Sequence, residues 1–295
     1  MWCSDVDLHS HSTHSDGTLE VAALAASMAR EGVQVWSLTD HDTTSGWEEA
    51  AAEAARHGMA FLPGVELTCV PALPPDGDAA REGSWHLLAY VPGDLERAEV
   101  RELRAWIAGL TEARGPRMTM MIERLATLGI HVDESKVLAR ANGAVGRPHL
   151  AAELLEMGVV DTFQQAFDDW IGDGAPANVE RPRPTLEEAS RRVHAAGGFC
   201  SLAHPVYYGV STDAVLDLLC NIGIEAVEAF HGGHTDAYRD EVWQAAVKRG
   251  LAVTAGSDHH GPEHHPRPGH RPVPLADVHG AIRRLREAHQ AAGRP

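Results

Sequence analysis

Seven short apolar runs constrain this chain more than any other feature: Val6 to Leu8, Val33 to Leu38, Ala60 to Val65, Trp85 to Tyr90, Phe199 to Ala203, Ile224 to Phe230 and Leu251 to Ala255. They alternate with stretches of helical pattern at Thr18 to Arg30, Trp47 to Arg56, Leu186 to Ala195, Thr212 to Cys220 and Ala237 to Lys248. Gly32, Gly58, Gly197, Gly223 and Gly250 stand just past those helices, where a left-handed cap ends a helix at least cost. Such repeated units imply buried parallel strands joined by right-handed crossovers, in either a closed α/β barrel or an open doubly wound sheet.

From about Leu95 to Asp173 the rhythm breaks, and helical patterns follow one another without a convincing strand. Pro92-Gly93 marks the entrance to this stretch; Gly172 to Pro176 and Arg181 to Pro184 mark its exit. The expected organisation is a barrel domain from residues 1–97 and 183–295, with a helical insertion at 98–182 and a last amphipathic helix over Leu275 to Ala291. Composition narrows the partners. The formal charge of −17 opposes a long nucleic-acid groove unless cations gather in one place. No apolar run is long enough to span a bilayer, and the first residues show no signal segment, so the expected location is the cytoplasm. Cys3, Cys69, Cys200 and Cys220 form no CxxC pair, which makes thiol chemistry an unpromising reading.

Nineteen histidines are the unusual entry in the composition, and their placement is what matters. Nearly every apolar run ends in a histidine or an acid. The first delivers Asp7, His9, His11, His14 and Asp16, the second Asp40, His41 and Asp42, the third Glu66, and the fourth carries His86. The later runs give His204, then Glu228 and His231, then Asp258, His259 and His260. In a parallel barrel these strand ends meet on one face, and an H-x-H pair there turns both imidazoles to the same side. A set of imidazoles and carboxylates without thiolates suits Zn, Mn or Fe. Neighbouring cations lower the pKa of a shared water and neutralise phosphate oxygens, so hydrolysis of phosphoesters is the natural output even for an acidic protein.

These residues resemble the polymerase and histidinol phosphatase (PHP) family of metallohydrolases, through DLHSHSTHSDGTL at 7–19, LTDHDTTSG at 38–46, PGVEL at 63–67, SLAHP at 201–205 and AGSDHHG at 255–261. The resemblance covers about residues 5–97 and 183–275. The segment after Arg147-Pro148-His149 is similar to the nucleotide-phosphatase branch. It implies a distorted (β/α)7 barrel, with two to three divalent ions activating a water. One ion would be held by His9, His11, Glu66 and Asp258, a second by Glu66, His86 and His204, and a third by Asp16, His41 and His260. The implied substrate is a small nucleotide: a nucleoside 3′,5′-bisphosphate losing its 3′-phosphate, or the 5′-end residue of a short oligonucleotide. A histidinol-phosphatase-like or other small-molecule phosphatase, and a noncatalytic metal-binding module, are the alternatives.

Arg147 and His149 open a helix where backbone amides and a guanidinium suit a phosphate that is not cleaved, or where Pro148 simply starts a structural helix. Arg181 and Arg183 are weaker candidates for the same work. His231 and His234 bracket two glycines and either reach the substrate and leaving oxygen or form an exposed turn. Asp40 and Asp42 either orient His41 or, for Asp42, cap the next helix. Tyr207 and Tyr208 lie near the expected mouth, whereas Trp106, Met118, Met120 and Met121 read as packing faces. No aromatic platform for a base can be identified, and His264, His265 and His270 receive no role.

Overall fold

The structure, a computed structural model, describes residues 2–77, 83–141, 143–263, 267–269 and 272–292. His264, His265 and His270 lie outside the described residues. Two short strands, β1 (Trp2–Cys3) and β2 (Val6–Asp7), lead into α1 (Val21–Arg30), β3 (Val35–Trp36), α2 (Trp47–Arg56), β4 (Ala60–Phe61), β5 (Gly64–Cys69) and β6 (Trp85–Tyr90). Helices then follow one another: α3 (Ala98–Glu112), α4 (Arg114–Thr127), α5 (Glu134–Ala139), α6 (Arg147–Glu156), α7 (Phe163–Ala166) and a π-helical turn over Phe167–Ile171. The alternation resumes with α8 (Leu186–Ala195), β7 (Phe199–Leu202), α9 (Thr212–Ile222), β8 (Ala226–His231), α10 (Asp236–Lys248), β9 (Ala252–Gly256), β10 (Val273–Pro274) and α11 (Gly280–Ala291). The five glycines expected as helix stops all have φ between +73° and +82°.

Strands β2, β3 and β4 pair in parallel, and β5 to β9 form a second sheet in chain order. Isolated bridges join the two: Ser10 to His259 on one side, His41 to Glu66 on the other. Main-chain bonds reinforce these seams, with Leu8 N–H donating to Ala255 O (3.0 Å), His11 N–H to His259 O (2.9 Å) and Asp42 N–H to Glu66 O (2.9 Å). The result is a distorted α/β barrel closed most firmly at the end that carries the histidines and acids.

The expectation of parallel strands throughout is corrected at β6, which is antiparallel to both β5 and β7. A parallel partner needs a crossover of a dozen or more residues, usually helical. Val70 to Ser84 is Pro-rich and holds no helix among its described residues, so the chain turns back beside β5. The run Ala60 to Val65 is likewise two strands, broken at Leu62-Pro63, where the missing proline N–H interrupts the ladder.

Among the described residues, three apolar clusters hold the fold together. The largest fills the barrel around Leu67, Leu87, Tyr90, Phe199, Val227 and Phe230. A second packs α1 and α2 on Trp36 and Leu38. Met118, Met121, Leu125, Leu150, Leu154 and Ile171 build the third, wholly within the helical stretch, whereas Val100, Leu103 and Ile107 of α3 join the barrel core. Met120, expected to pack, is exposed at the opposite face of α4. Two buried tryptophans also hold polar ties, Trp47 Nε1 donating to Gly64 O (2.6 Å) and Trp36 Nε1 to Ser10 Oγ (3.0 Å). Among the described residues no helix is long and apolar enough to cross a membrane.

Candidate metal centre

The strand ends place Glu66 at the middle of the histidines. Its Oε2 lies 3.2 Å from His9 Nε2 and 3.1 Å from both His11 Nε2 and His41 Nδ1. Its Oε1 lies 3.1 Å from His86 Nδ1 and from His204 Nε2. One carboxylate therefore faces two separate groups of imidazoles, one per oxygen. Asp258 Oδ1 adds a second acid at 3.2 Å from His9 Nε2 and 3.1 Å from His11 Nε2. Asp16 stands 3.7 Å from His41 Nε2 and 3.5 Å from His260 Nε2. All nine residues expected as ligands thus lie in one connected set, His86 included.

Several of these atoms are buried and close yet make no aligned hydrogen bond: His9 Nε2, His11 Nε2, His41 Nδ1, Glu66 Oε2 and Asp16 Oδ1. A buried polar atom left so costs about 1–3 kcal/mol. Nitrogen and oxygen donors that converge in this way suit a cation, and the residues fit a divalent one. His9, His11, Glu66 and Asp258 each offer an atom within 4.8 Å of the others, as do His11, Asp16, His41 and His260, and His41, Glu66 and His86.

The electrostatics agree. Burial works against a charged ring at His9, but Glu228, Asp258 and Glu66 outweigh it and hold its pKa well above the ordinary value. For His11 burial is likewise overcome, by Asp258 and Glu66, to about 10. His41 goes the other way: burial takes it down to about 3 against the pull of Glu66 and Asp16. Four carboxylates, Glu66 and Glu228 buried and Asp16 and Asp258 partly so, demand positive charge, and metal loading must displace the ring protons that answer that demand.

Backbone geometry shows what the assembly costs. Among the described residues only Asp42 (φ +52°), His204 (φ +24°) and Asp258 (φ +54°) are non-glycine residues with positive φ, and all three sit at this site. Strain of this kind costs roughly 1–3 kcal/mol each and persists where surrounding structure enforces it. Gly17 is required for a related reason, since a Cβ there would lie 2.3 Å from His11 O. In β8 the register shifts between Glu228 and Phe230. That bulge resets the alternation, so Glu228 and His231, three residues apart, both reach the site.

Glu228, buried, takes His9 Nδ1 on Oε1 (3.0 Å) and the His204 N–H on Oε2 (2.9 Å), which fixes one ring and one strand end. His231 Nε2 is 3.3 Å from Asp258 Oδ2, and its Nδ1 accepts the Gly233 N–H (3.0 Å). His234 turns inward to Ala229 O (2.9 Å), with burial pushing its pKa down to about 4. Asp40 does not orient His41. It accepts from Ser12 N (2.8 Å), Ser12 Oγ (2.7 Å) and Ser15 Oγ (2.6 Å), and so shapes the loop between His11 and Asp16. Tyr208 stacks on Trp85 at 4.4 Å and accepts the His86 N–H (2.9 Å), a support beneath the ligands, while Tyr207 is exposed.

A cavity of about 730 Å³ opens from Asp16, His41 and His86, and five arginines line it: Arg114, Arg117, Arg147, Arg181 and Arg183. The sequence reading missed Arg114 and Arg117, because nothing in a helical register distinguishes them from surface cations. Asp42 takes Arg114 Nε (3.0 Å), Arg114 Nη2 (2.6 Å) and Arg181 Nη2 (2.5 Å) on Oδ2, so neither capping nor orienting His41 describes it. Burial and the neighbouring Arg147, Arg181 and Arg114 push the Arg117 pKa down to about 9, and its guanidinium donates to Val179 O (2.6 Å) and Asn178 Oδ1 (3.1 Å). Arg147 is tied to Asp173 Oδ1 at 3.1 Å. His149, expected beside it at a phosphate, is buried with Nδ1 accepting the Gly146 N–H (2.9 Å), and is not among the residues lining this cavity.

A barrel whose strand ends gather imidazoles on both oxygens of one glutamate, beside a cationic cavity, defines a metallohydrolase acting on anionic substrates. The chain belongs to the PHP family, and the profile of the PHP domain matches residues 7–128. It is 29% identical over 273 residues to the 3′,5′-nucleoside bisphosphate phosphatase of Chromobacterium violaceum, covering 88% of each chain. It is 30% identical over 259 residues to a 5′-3′ exoribonuclease of Haemophilus influenzae, covering 87% of this chain and 90% of that one. An amidohydrolase from Chromobacterium violaceum, solved with sulfate bound and no metal, superposes with a TM-score of 0.78 at 28% identity, over 97% of this chain and 96% of that one.

Proposed function

We propose that this protein is a divalent-metal-dependent phosphoesterase that hydrolyses small nucleotides, removing the 3′-phosphate of nucleoside 3′,5′-bisphosphates or the 5′-end nucleotide of short oligonucleotides. The observation that carries this reading is a single cavity lined both by ligand-bearing residues, Asp16, His41 and His86, and by five arginines. Its volume suits one nucleotide, and its cations offset the −17 charge of the chain where the substrate enters.

His9, His11, Glu66 and Asp258 would hold one cation, Glu66, His86 and His204 a second, and Asp16, His41 and His260 a third, with Mn, Zn or Fe all compatible with such donors. Bound cations supply an activated water and neutralise the nonbridging phosphate oxygens. Glu228 holds His9 in the tautomer that leaves Nε2 as a lone-pair donor. His231 Nε2, beside Asp258, would donate a hydrogen bond to the departing oxygen, and a water supplies the proton that the alkoxide takes up. Arg117, Arg181 and Arg183, from a helical segment at 98–182 and its return to the barrel, bind the phosphate that is not cleaved. We take that segment as an insertion in a barrel of residues 1–97 and 183–295.

The test is turnover of a nucleotide panel by protein reconstituted with Mn, Zn or Fe in turn, with Asp258→Asn as control. Bisphosphates are expected to be preferred over monophosphates, and the variant to release no phosphate while keeping its circular dichroism. With every metal, absence both of phosphate release from every nucleotide and of mononucleotide release from a short oligonucleotide would overturn the reading, as would unchanged turnover in the variant.

A further inference from the structure

The cavity holds a chemistry that neither the metal ligands nor the arginines need. Thr162 starts α7 by accepting the Gln165 N–H on its hydroxyl (3.1 Å), which puts Phe163 in the first turn and Phe167 one turn later on the same face. At Phe167 the helix widens to π geometry, with Gly172 N–H donating to Phe167 O (2.8 Å). Gly172 is needed there, since a Cβ would lie 2.5 Å from that same oxygen. The two rings sit 5.5 Å apart at 46°. The Arg147 guanidinium, held by Asp173, lies 5.8 Å from the Phe167 ring and fixes it from another side. Phe163 remains 42% exposed, yet it lines the same cavity as His41, His86 and the arginines. Gln164 and Asp168 line it too, joined by a 2.9 Å hydrogen bond from Gln164 Nε2 to Asp168 Oδ1.

A phenyl ring left in water inside a cationic cavity is stabilised by a flat apolar ligand group, and a nucleotide carries one group of that kind. We propose that Phe163 is the stacking surface for the nucleobase of the substrate, with Phe167 backing it and Gln164 and Asp168 at the base edge. This rests on the nucleotide reading above and deepens it. Stacking on a ring face tolerates every base, so the site accepts all four nucleotides and favours the larger purines.

The experiment compares metal-loaded wild type, Phe163→Ala and Phe163→Trp on adenosine 3′,5′-bisphosphate and on its abasic counterpart, 1-deoxyribose 3,5-bisphosphate. Phe163→Ala is expected to raise KM for the nucleotide about tenfold and to leave the abasic compound unchanged. Phe163→Trp restores the nucleotide KM. An equal rise on both substrates, or no rise on the nucleotide, would overturn the proposal. Equal KM values for both compounds in wild type would also overturn it, leaving the phosphatase reading intact. Hydrolysis of neither compound, alongside turnover of another phosphate ester class, would remove the nucleotide reading first and this one with it.

Discussion

Glu66→Gln is expected to lose bound divalent metal and to release phosphate roughly a thousandfold more slowly than wild type, the effect of several kcal/mol of lost transition-state stabilisation. The side chain keeps its shape, but one of its oxygens becomes an NH2 whose hydrogens point at ring nitrogens. Either His9, His11 and His41 on one side or His86 and His204 on the other then meets a donor instead of a ligand. The fold does not depend on that carboxylate, because the Glu66 N–H donates to Thr39 O (3.1 Å) and its carbonyl accepts from Asp42 whatever the side chain. A readout independent of turnover is thermal unfolding. Metal at a hundred times its Kd stabilises a protein by about 2.7 kcal/mol, and that gain should vanish in the variant. Elemental analysis that found full metal occupancy, together with turnover within tenfold of wild type, would show that Glu66 does not bridge.

Much of this centre is legible in the sequence because strand ends are local features. The H-x-H pair at His9 and His11, the Asp-His-Asp at 40–42 and the Asp-His-His at 258–260 each follow an apolar run, and a barrel leaves such ends one place to go. What stayed hidden depends on long-range fit. The β8 bulge that turns Glu228 and His231 to the same side is a property of pairing with β9 and has no sequence spacing of its own. The antiparallel course of β6 follows from what Val70 to Ser84 fails to form. Phe163 and Arg117 look like ordinary surface residues of helices until the cavity is closed around them. Asp40 and Asp42 occupy equivalent-looking positions beside His41, yet one shapes the loop after His11 and the other anchors two arginines.

Asp42→Asn is expected to destabilise the protein by about 3–5 kcal/mol, the usual cost of leaving a buried cation without its partner. That corresponds to a fall of roughly 10 °C in Tm. Arginine pairs on a surface would not have this effect, but here the carboxylate is fully buried and Arg114 and Arg181 are nearly so. Both guanidiniums hold its pKa far below the usual carboxylate range despite burial, so the group is ionised at any working pH. Asparagine is the right probe because it keeps the size, tolerates φ +52° and still accepts the Thr68 N–H on its oxygen. Oδ2 becomes an NH2 that faces three guanidinium N–H groups, so the charge and those acceptor contacts are lost together. The two cations then repel each other with nothing between them, and one of them must swing into the cavity or draw in water. Removing Arg181 as well should relieve that repulsion. The double variant Asp42→Asn with Arg181→Met is therefore expected to lose less stability than the two single variants added together. Strict additivity, or a loss below about 1 kcal/mol for Asp42→Asn alone, would mean that Arg114 and Arg181 hold their places without Asp42.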